Sequence, residues 1–130
     1  MLTLIVFMSI VIILFVAVNS VNNRGISQVN VASAQDLITN GATLIDVRTA
    51  GEFNQGHIKG AKLIPLSEIA SRINEIVSLK DSQILIYCHA GSRSIAACRI
   101  MRKNGFTKVS NLQGGISSWN REGKKIVKGK

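Results

Sequence analysis

The sequence has few aromatic, cysteine and histidine side chains. Its 130 residues include one Trp, one Tyr and four Phe, too few to alternate with basic residues as a base-stacking surface requires. We therefore expect no nucleic-acid partner. Two Cys and two His are scattered along the chain and lack the spacing of metal ligands. The sequence thus predicts no metal site and no other cofactor.

Acidic side chains are also scarce. Sixteen Lys and Arg stand against seven Asp and Glu, which gives a net charge of +9. Most of the excess lies at the C-terminal end, where residues 99–130 contain nine basic side chains and one acid, Glu122. Such a surface attracts anions, including small anionic substrates. The final basic block predicts a solvated tail; its members are Lys124, Lys125, Lys128 and Lys130.

A long apolar run begins directly after Met1. Residues 2–18 contain two polar side chains, Thr3 and Ser9, and a helix of this length rises about 25 Å, within the range of membrane-spanning segments. We predict a transmembrane helix over residues 1–18, a polar linker over 19–25 and a domain over 26–130. Arg24 in the linker favours a single-pass protein with its domain on the cytoplasmic face. A cleaved secretory signal is the alternative and would leave the domain secreted or periplasmic.

Short β-branched runs alternate with stretches of helical periodicity. The runs predict strands over residues 42–47, 62–65, 84–87 and 109–112. Apolar side chains at helical spacing predict helices over 33–40, 67–77 and 94–104. Because parallel strands that alternate with helices are joined by right-handed crossovers, we expect an α/β fold with a central parallel sheet flanked by helices.

Cys88 directly follows the most apolar of the predicted strands. Sites in parallel sheets lie at the carboxyl ends of strands. A turn containing Gly91 and then a helix follow Cys88, and the amides of such a turn and helix start favour negative charge. Arg93 adds a permanent positive charge. Together these groups predict a lowered pKa for Cys88 and a reactive thiolate, whereas the alternative is a buried cysteine that packs as a small apolar residue.

Several short motifs follow one another along residues 26–123. They are Leu44-Ile-Asp46-Val-Arg48, Glu52-Phe53, Gly56-His57-Ile58 with Gly60-Ala61, Ile64-Pro65, Cys88-His-Ala-Gly-Ser-Arg93-Ser94, Gly105-Phe106, and Leu112-Gln-Gly-Gly115 with Trp119. In this order and spacing the chain resembles the rhodanese family of sulfurtransferases. The resemblance implies the rhodanese-like three-layer fold, in which helices flank a central parallel sheet.

The resemblance also implies a reaction. Cys88 would attack the outer sulfur of thiosulfate or a persulfide, carry it as Cys–S–SH and pass it to a nucleophilic acceptor. The implied partners are a small anionic sulfur donor and a thiol or dithiol protein as acceptor. The loop would hold the anionic donor and the persulfide through the backbone amides of His89, Ala90, Gly91, Ser92, Arg93 and Ser94 and through the Arg93 side chain. Asp46, Arg48 and Glu52 would organise neighbouring loops through ion pairs.

Two other functions stay open. A non-catalytic rhodanese-type module would dock partners or sense redox state through Cys88. A phosphatase or arsenate reductase uses a related loop but places five residues between Cys and Arg, whereas this chain places four. We expect His57 and Trp119 to be packing residues, and Cys98 to be a buried, unreactive thiol in the helix after the loop.

Overall fold

Five parallel strands form the centre of the protein, and a computed structural model describes residues 1–22 and 25–130. The strands are β1 (Ile26–Val29), β2 (Thr43–Asp46), β3 (Lys62–Leu63), β4 (Ile84–Tyr87) and β5 (Val109–Leu112). The helices are α1 (Leu2–Asn22), α2 (Val31–Thr39), α3 (Ala50–Gln55), α4 (Ile69–Arg72), α5 (Ser92–Lys103) and α6 (Gly115–Arg121). Turns of 3-10 helix flank α4 at Leu66–Glu68, Ile73–Glu75 and Val77–Leu79.

The strand order places the ends of β2 and β4 next to each other. The sheet runs β1-β5-β4-β2-β3, and every neighbouring pair is parallel. All four residues of β4 are buried, as expected for a strand covered on both faces. Asp46 of β2 pairs in register with Tyr87 of β4. The residues that follow these two strands therefore meet at one edge of the sheet.

Helices cover both faces of the sheet, and each face has its own apolar core. One core joins Ile45 and Ile86 to Ile69 of α4 and Met101 of α5. The other joins Leu44 and Leu85 to Ala34 of α2 and to Ile116 and Trp119 of α6. Neighbouring strand residues alternate between the two cores because side chains of a strand point to opposite faces. The predicted α/β architecture is confirmed.

Some of the helices and strands differ from the prediction. β4 and β5 have the predicted bounds, but the helix predicted over residues 67–77 is broken, and only Ile69–Arg72 is α-helical. This segment holds four β-branched side chains, which have low helix propensity: Ile69, Ile73, Ile76 and Val77. The sequence does not predict β1, α3 or α6, which are four, six and seven residues long and too short to show a clear period.

The N-terminal apolar run forms a helix that differs from the predicted one. α1 extends to Asn22, so the helix enters the segment predicted as a linker. Within residues 1–22 and 25–130, no helix has the combined length and apolar character needed to cross a membrane. The predicted transmembrane helix, and the membrane as a partner, are therefore not supported. Arg24, on which the predicted orientation rested, lies outside the described residues.

The C-terminal residues are bound to the domain. Val127 and His57 exchange two backbone hydrogen bonds, each 2.8 Å long. The indole N–H of Trp119 donates to the carbonyl oxygen of Lys125 at 3.1 Å. Backbone pairing thus holds residues 124–129 against the domain as a C-terminal strap, while three lysines of the predicted solvated block, Lys125, Lys128 and Lys130, are exposed.

Candidate active site

Cys88 lies at the carboxyl end of β4, and its exposed fraction is 1%. The backbone N–H of Gly91 donates to Cys88 Sγ at 3.0 Å. Ser94 Oγ lies 3.3 Å from the same sulfur and 3.0 Å from the carbonyl oxygen of Gly91. A hydroxyl has one proton, so Ser94 donates to one of these acceptors at a time. Because charged acceptors form the stronger hydrogen bonds, a thiolate at Cys88 attracts that proton.

The turn between β4 and α5 depends on Gly91. Its φ of 113° lies in the left-handed region, which glycine adopts without a steric penalty. This conformation turns the chain back before the first residue of α5 and aims the Gly91 amide at Cys88 Sγ. The turn and helix start that the sequence predicts around Cys88 are therefore both present.

Hydrogen bonds set the ionisation of Cys88. Burial raises the pKa of the thiol, but hydrogen bonds from the Ser94 hydroxyl and from the amides of Ser94, Gly91 and Ala90 outweigh burial, and the net pKa is lowered. Such a shift stabilises the thiolate, which is the reactive form of cysteine. The lowered pKa predicted from the sequence agrees in direction, and amides of the turn and helix start contribute to it as predicted, whereas the contribution of the Ser94 hydroxyl was not predicted.

Arg93 is paired with Glu52. Arg93 Nη1 lies 2.7 Å from Glu52 Oε1, and Nη2 lies 3.0 Å from Oε2. The hydrogen bond from Arg93 lowers the pKa of Glu52 to about 2, so the carboxyl group is ionised at neutral pH. Arg93 supplies the positive charge predicted near Cys88, and the carboxylate of Glu52 balances that charge.

Three members of the predicted binding loop lie at the protein surface. His89, Ala90 and Ser92 are exposed, and of these three the Ala90 amide contributes to the lowered pKa of Cys88. The loop residues nearest the sulfur are Gly91 and Ser94. Amides of the predicted loop thus meet at Cys88 Sγ, whereas His89, Ala90 and Ser92 are otherwise exposed.

Asp46 and Arg48 form a buried ion pair beside the site. Arg48 Nη2 donates to Asp46 Oδ2 at 2.7 Å and to the carbonyl oxygen of Gly56 at 2.7 Å. The exposed fractions of the Arg48 and Asp46 side chains are 5% and 0%. The guanidinium carbon of Arg48 lies 5.7 Å from the centre of the Tyr87 ring. The pair therefore ties the segment after α3 to the ends of β2 and β4. Glu52 forms its ion pair with Arg93 of the Cys88 loop.

Asp46→Asn should lower the free energy of unfolding by about 3 kcal/mol, because it leaves the buried guanidinium of Arg48 without its counter-ion. Urea denaturation measures this loss. Glu75→Gln is the matched control, since Glu75 pairs with Arg72 at the surface and exposed pairs contribute about 0.5 kcal/mol. Equal losses in the two variants would show that the Asp46–Arg48 pair is not structural.

Other residues singled out in the sequence pack inside the domain. The rings of His57 and Phe53 are stacked with centres 3.6 Å apart, and His57 Nδ1 lies 2.8 Å from the Phe53 carbonyl oxygen. Trp119 is buried in the core shared with α2. Cys98 is buried in α5, and burial raises its pKa to about 12. Packing roles for these residues agree with the prediction.

A groove of about 410 Å³ lies beside the loop. Glu52, Gln55 and Gly56 line one side, and His89 of the loop joins them. The opposite side comes from α6 and the C-terminal strap: Ile116, Ser117, Asn120 and Ile126. Sequence reasoning missed this second wall because α6 and the strap were not predicted. The groove is large enough for a small sulfur donor or for the thiol-bearing side chain of an acceptor.

The start of α6 supports the loop from behind. The Ile116 N–H donates to the carbonyl oxygen of Cys88 at 2.9 Å, and the Ser117 N–H donates to that of His89 at 3.0 Å. These bonds fix the backbone on both sides of the loop's first peptide. The Gly114-Gly115 pair before them has positive φ values of 74° and 56°, which let the helix begin against the loop.

Ser94→Ala should lower the rate of sulfur uptake at neutral pH by roughly tenfold, because a hydrogen bond to a charged group contributes about 1.5–3 kcal/mol. With that bond lost, the pKa of Cys88 rises, so a smaller fraction is thiolate and the rate–pH curve moves to higher pH. Initial rates across a pH series measure the displacement. Ser71→Ala, at an exposed serine of α4, is the control, and an unmoved curve for Ser94→Ala would contradict the assignment.

The described residues contain no group of three or more His, Cys, Asp or Glu side chains that could hold a metal ion. Cys88 and Cys98 are both free thiols. The ionisable groups around the loop are instead paired with one another, as Asp46 with Arg48 and Glu52 with Arg93.

The fold and the loop define a class of protein: an α/β domain with a cysteine at the carboxyl end of its central strand, cradled by the amides of a tight turn. The model of the Rhodanese-like domain family matches residues 30–122. The chain therefore belongs to the rhodanese family.

Individual relatives cover most of the chain. A protein of Allochromatium vinosum named "Sulfurtransferase" is 38% identical over 110 residues, which are 85% of this chain and 95% of that protein. Thiosulfate sulfurtransferase 16, chloroplastic, of Arabidopsis thaliana is 35% identical and covers 75% of this chain and 89% of its own. The crystal structure of a rhodanese-related protein from Thermoplasma volcanium has a TM-score of 0.70 at 31% identity and covers 78% of this chain and 97% of its own. These similarities support sulfurtransferase activity in general terms.

Proposed function

We propose that the protein moves sulfane sulfur from thiosulfate or a persulfide donor to a nucleophilic acceptor through a persulfide on Cys88. The observation that carries the proposal is the pair of hydrogen-bond donors, the Gly91 amide and the Ser94 hydroxyl, on Cys88 Sγ. They stabilise a thiolate in a nearly dry site, where hydrogen bonds to charged groups are strong. The similarity to proteins named for sulfur transfer supports the same chemistry.

In the first half of the reaction, the Cys88 thiolate attacks the outer sulfur of the donor. A bond forms between Cys88 Sγ and that sulfur, and the bond from the outer sulfur to the rest of the donor breaks. Its electron pair leaves with sulfite when thiosulfate is the donor, or with a thiolate when a persulfide is the donor. No proton is removed in this step, so it requires no general base beside the nucleophile.

In the second half, an acceptor thiolate attacks the outer sulfur of the Cys88 persulfide. The new bond joins acceptor and sulfur, and Cys88 leaves as a thiolate. A thiol of lowered pKa is the better leaving group in such an exchange, so the hydrogen bonds that activate Cys88 also favour its release. A small thiol or a dithiol protein fits as acceptor, and the groove beside the loop, which His89 helps to line, is the surface on which it would bind.

The other loop residues have supporting roles in this proposal. The amides from His89 to Ser94 bind the donor and the persulfide, as in the family. Asp46 and Arg48 hold the neighbouring loop in place through their buried pair, and Glu52 holds the Arg93 side chain.

One observation favours a second candidate, a non-catalytic docking or redox-sensing module. Cys88 is 1% exposed, and a donor must reach its sulfur before any transfer begins. Such a module would keep the fold and the thiol without turnover. The two candidates differ in whether the protein takes up sulfur.

Mass spectrometry of the intact protein tests the proposal. After incubation with thiosulfate or an alkyl persulfide, we expect a gain of one sulfur atom and its removal by cyanide or dithiothreitol. Hydrolysis of aryl phosphates should be undetectable. The turn has four residues between Cys88 and Arg93, whereas the loop of phosphatases has five. Protein that gains no sulfur from either donor contradicts the proposal and favours the docking module.

A further inference from the structure

The ion pair between Glu52 and Arg93 lies beside the active-site loop, and its Glu52 side lines the groove next to that loop. The contact is bidentate, because the two terminal guanidinium nitrogens of Arg93 lie 2.7 Å and 3.0 Å from the two carboxylate oxygens of Glu52. Bidentate pairs add geometric specificity as well as energy. The side chains of Arg93 and Glu52 are 36% and 31% exposed, so both are accessible to a solute that approaches the loop. Arg93 is thus accessible, but a carboxylate of this chain already occupies its paired N–H donors.

Local hydrogen bonds hold Glu52 in this position. The Thr49 backbone N–H and hydroxyl both lie 3.2 Å from Glu52 Oε1, and Thr49 Oγ1 accepts from the Glu52 N–H. This reciprocal arrangement is a capping box at the start of α3. Glu52 is therefore anchored at its backbone and at its carboxylate, and its lowered pKa of about 2 keeps it ionised.

The neighbouring charges are also balanced. Arg48, which lines the same groove, pairs with the buried Asp46. A donor that approaches Cys88 therefore meets two neutral pairs. To gain an attraction from Arg93, an anionic donor has to compete with the carboxylate of Glu52, which also repels it.

The charge on the donor decides how much this competition matters. Thiosulfate brings two negative charges to a site that already holds a thiolate, and it leaves as sulfite with two charges after one sulfur is transferred. Methanethiosulfonate, CH3SO2S⁻, has a methyl group in place of one charged oxygen. It brings one charge and leaves as methanesulfinate with one charge, after transfer of the same sulfane sulfur.

We propose that Glu52, acting through Arg93, is a specificity-determining residue that disfavours doubly charged sulfur donors relative to singly charged ones. The inference rests on the sulfurtransferase function proposed above. It adds a selection by charge that the loop sequence alone does not show, because the loop contains Arg93 but not its partner.

Glu52→Gln tests this selection, because glutamine keeps the size of the side chain and an oxygen that completes the capping box. Steady-state rates with thiosulfate and with methanethiosulfonate give two values of kcat/KM for each variant. In Glu52→Gln, the ratio of the thiosulfate value to the methanethiosulfonate value should rise by about tenfold, mainly through a lower KM for thiosulfate. The increase should shrink at high salt, since screening weakens interactions between exposed charges.

Two variants serve as controls. Glu52→Asp keeps the negative charge on α3 and should keep the ratio near that of the unchanged protein. Glu75→Gln removes a carboxylate from the exposed pair with Arg72 and should leave both kcat/KM values unchanged. A simple loss of folding or of loop order would change both donors alike and would leave the ratio where it was.

The outcomes separate this inference from the function on which it rests. If the protein gains sulfur by mass spectrometry but Glu52→Gln leaves the donor ratio unchanged, the inference is overturned and the function stands. If neither donor transfers sulfur to the unchanged protein or to Glu52→Gln, and no persulfide does, both fail. If Glu52→Gln lowers the ratio, the carboxylate assists the dianion, and the inference is again overturned.

Discussion

Cys88→Ser should abolish sulfur uptake, with a fall in the rate of at least about 10⁴-fold, as expected for removal of a catalytic nucleophile. A serine hydroxyl is a weak nucleophile at neutral pH without an adjacent base. In this site the Gly91 amide and the Ser94 hydroxyl donate hydrogen bonds to the sulfur. Neither of them is a base that could remove a proton from a serine at this position. Formation of thiocyanate from thiosulfate and cyanide measures turnover, and the mass of the intact protein measures the persulfide.

Cys98→Ala is the matched control for this result. Cys98 is fully buried in the core that also contains Cys88, and burial raises its pKa to about 12, so it is a neutral thiol at physiological pH. We expect this variant to gain one sulfur atom as the unchanged protein does. A persulfide that persists in Cys88→Ser and disappears in Cys98→Ala would place the chemistry on the wrong cysteine and overturn the assignment.

The sequence predicts the fold best where a strand is buried on both faces. All four residues of β4 and all four of β5 are buried, and the predicted bounds of both strands match the structure. β1 is harder to find because its two central residues are exposed at the edge of the sheet. α3 has only six residues and was not predicted, although the pair Thr49 and Glu52 forms a capping box, a local signal of a helix start that the sequence contains.

The active-site loop is predictable because its parts are close in the chain. Cys88, Gly91 and Ser94 span seven positions, and one turn before a helix brings them together. The partner of Arg93 is different, because Glu52 lies 41 positions away and the contact depends on the register between β2 and β4. The walls of the groove are equally remote, since α6 and the C-terminal strap reach the site only through packing in the folded chain.

The contact between α6 and the loop has a stringent steric requirement at Gly115. Its φ is +56°, and a Cβ built on this residue would lie 2.5 Å from the carbonyl oxygen of His89 and closer still to that of Cys88. These are the two carbonyl groups that accept hydrogen bonds from the start of α6. The atoms that the added Cβ would meet belong to the backbone and not to a flexible side chain that could move away. A methyl group must therefore displace the loop or the helix.

Gly115→Ala should therefore lower the free energy of unfolding by more than about 3 kcal/mol. This loss combines the steric clash with the usual cost of placing an alanine in the left-handed backbone conformation. Gly123→Ala isolates the second contribution, because Gly123 also has a positive φ, of 76°, but has no atom within 4 Å of the added Cβ. That control should lose about 1 kcal/mol. Urea denaturation gives both values.

Where Gly115→Ala still folds, the displaced loop weakens the hydrogen bonds on Cys88 Sγ, so its rate–pH curve should move to higher pH while that of Gly123→Ala stays in place. Equal stability losses together with unchanged curves would mean that the start of α6 does not hold the loop in its thiolate-stabilising shape.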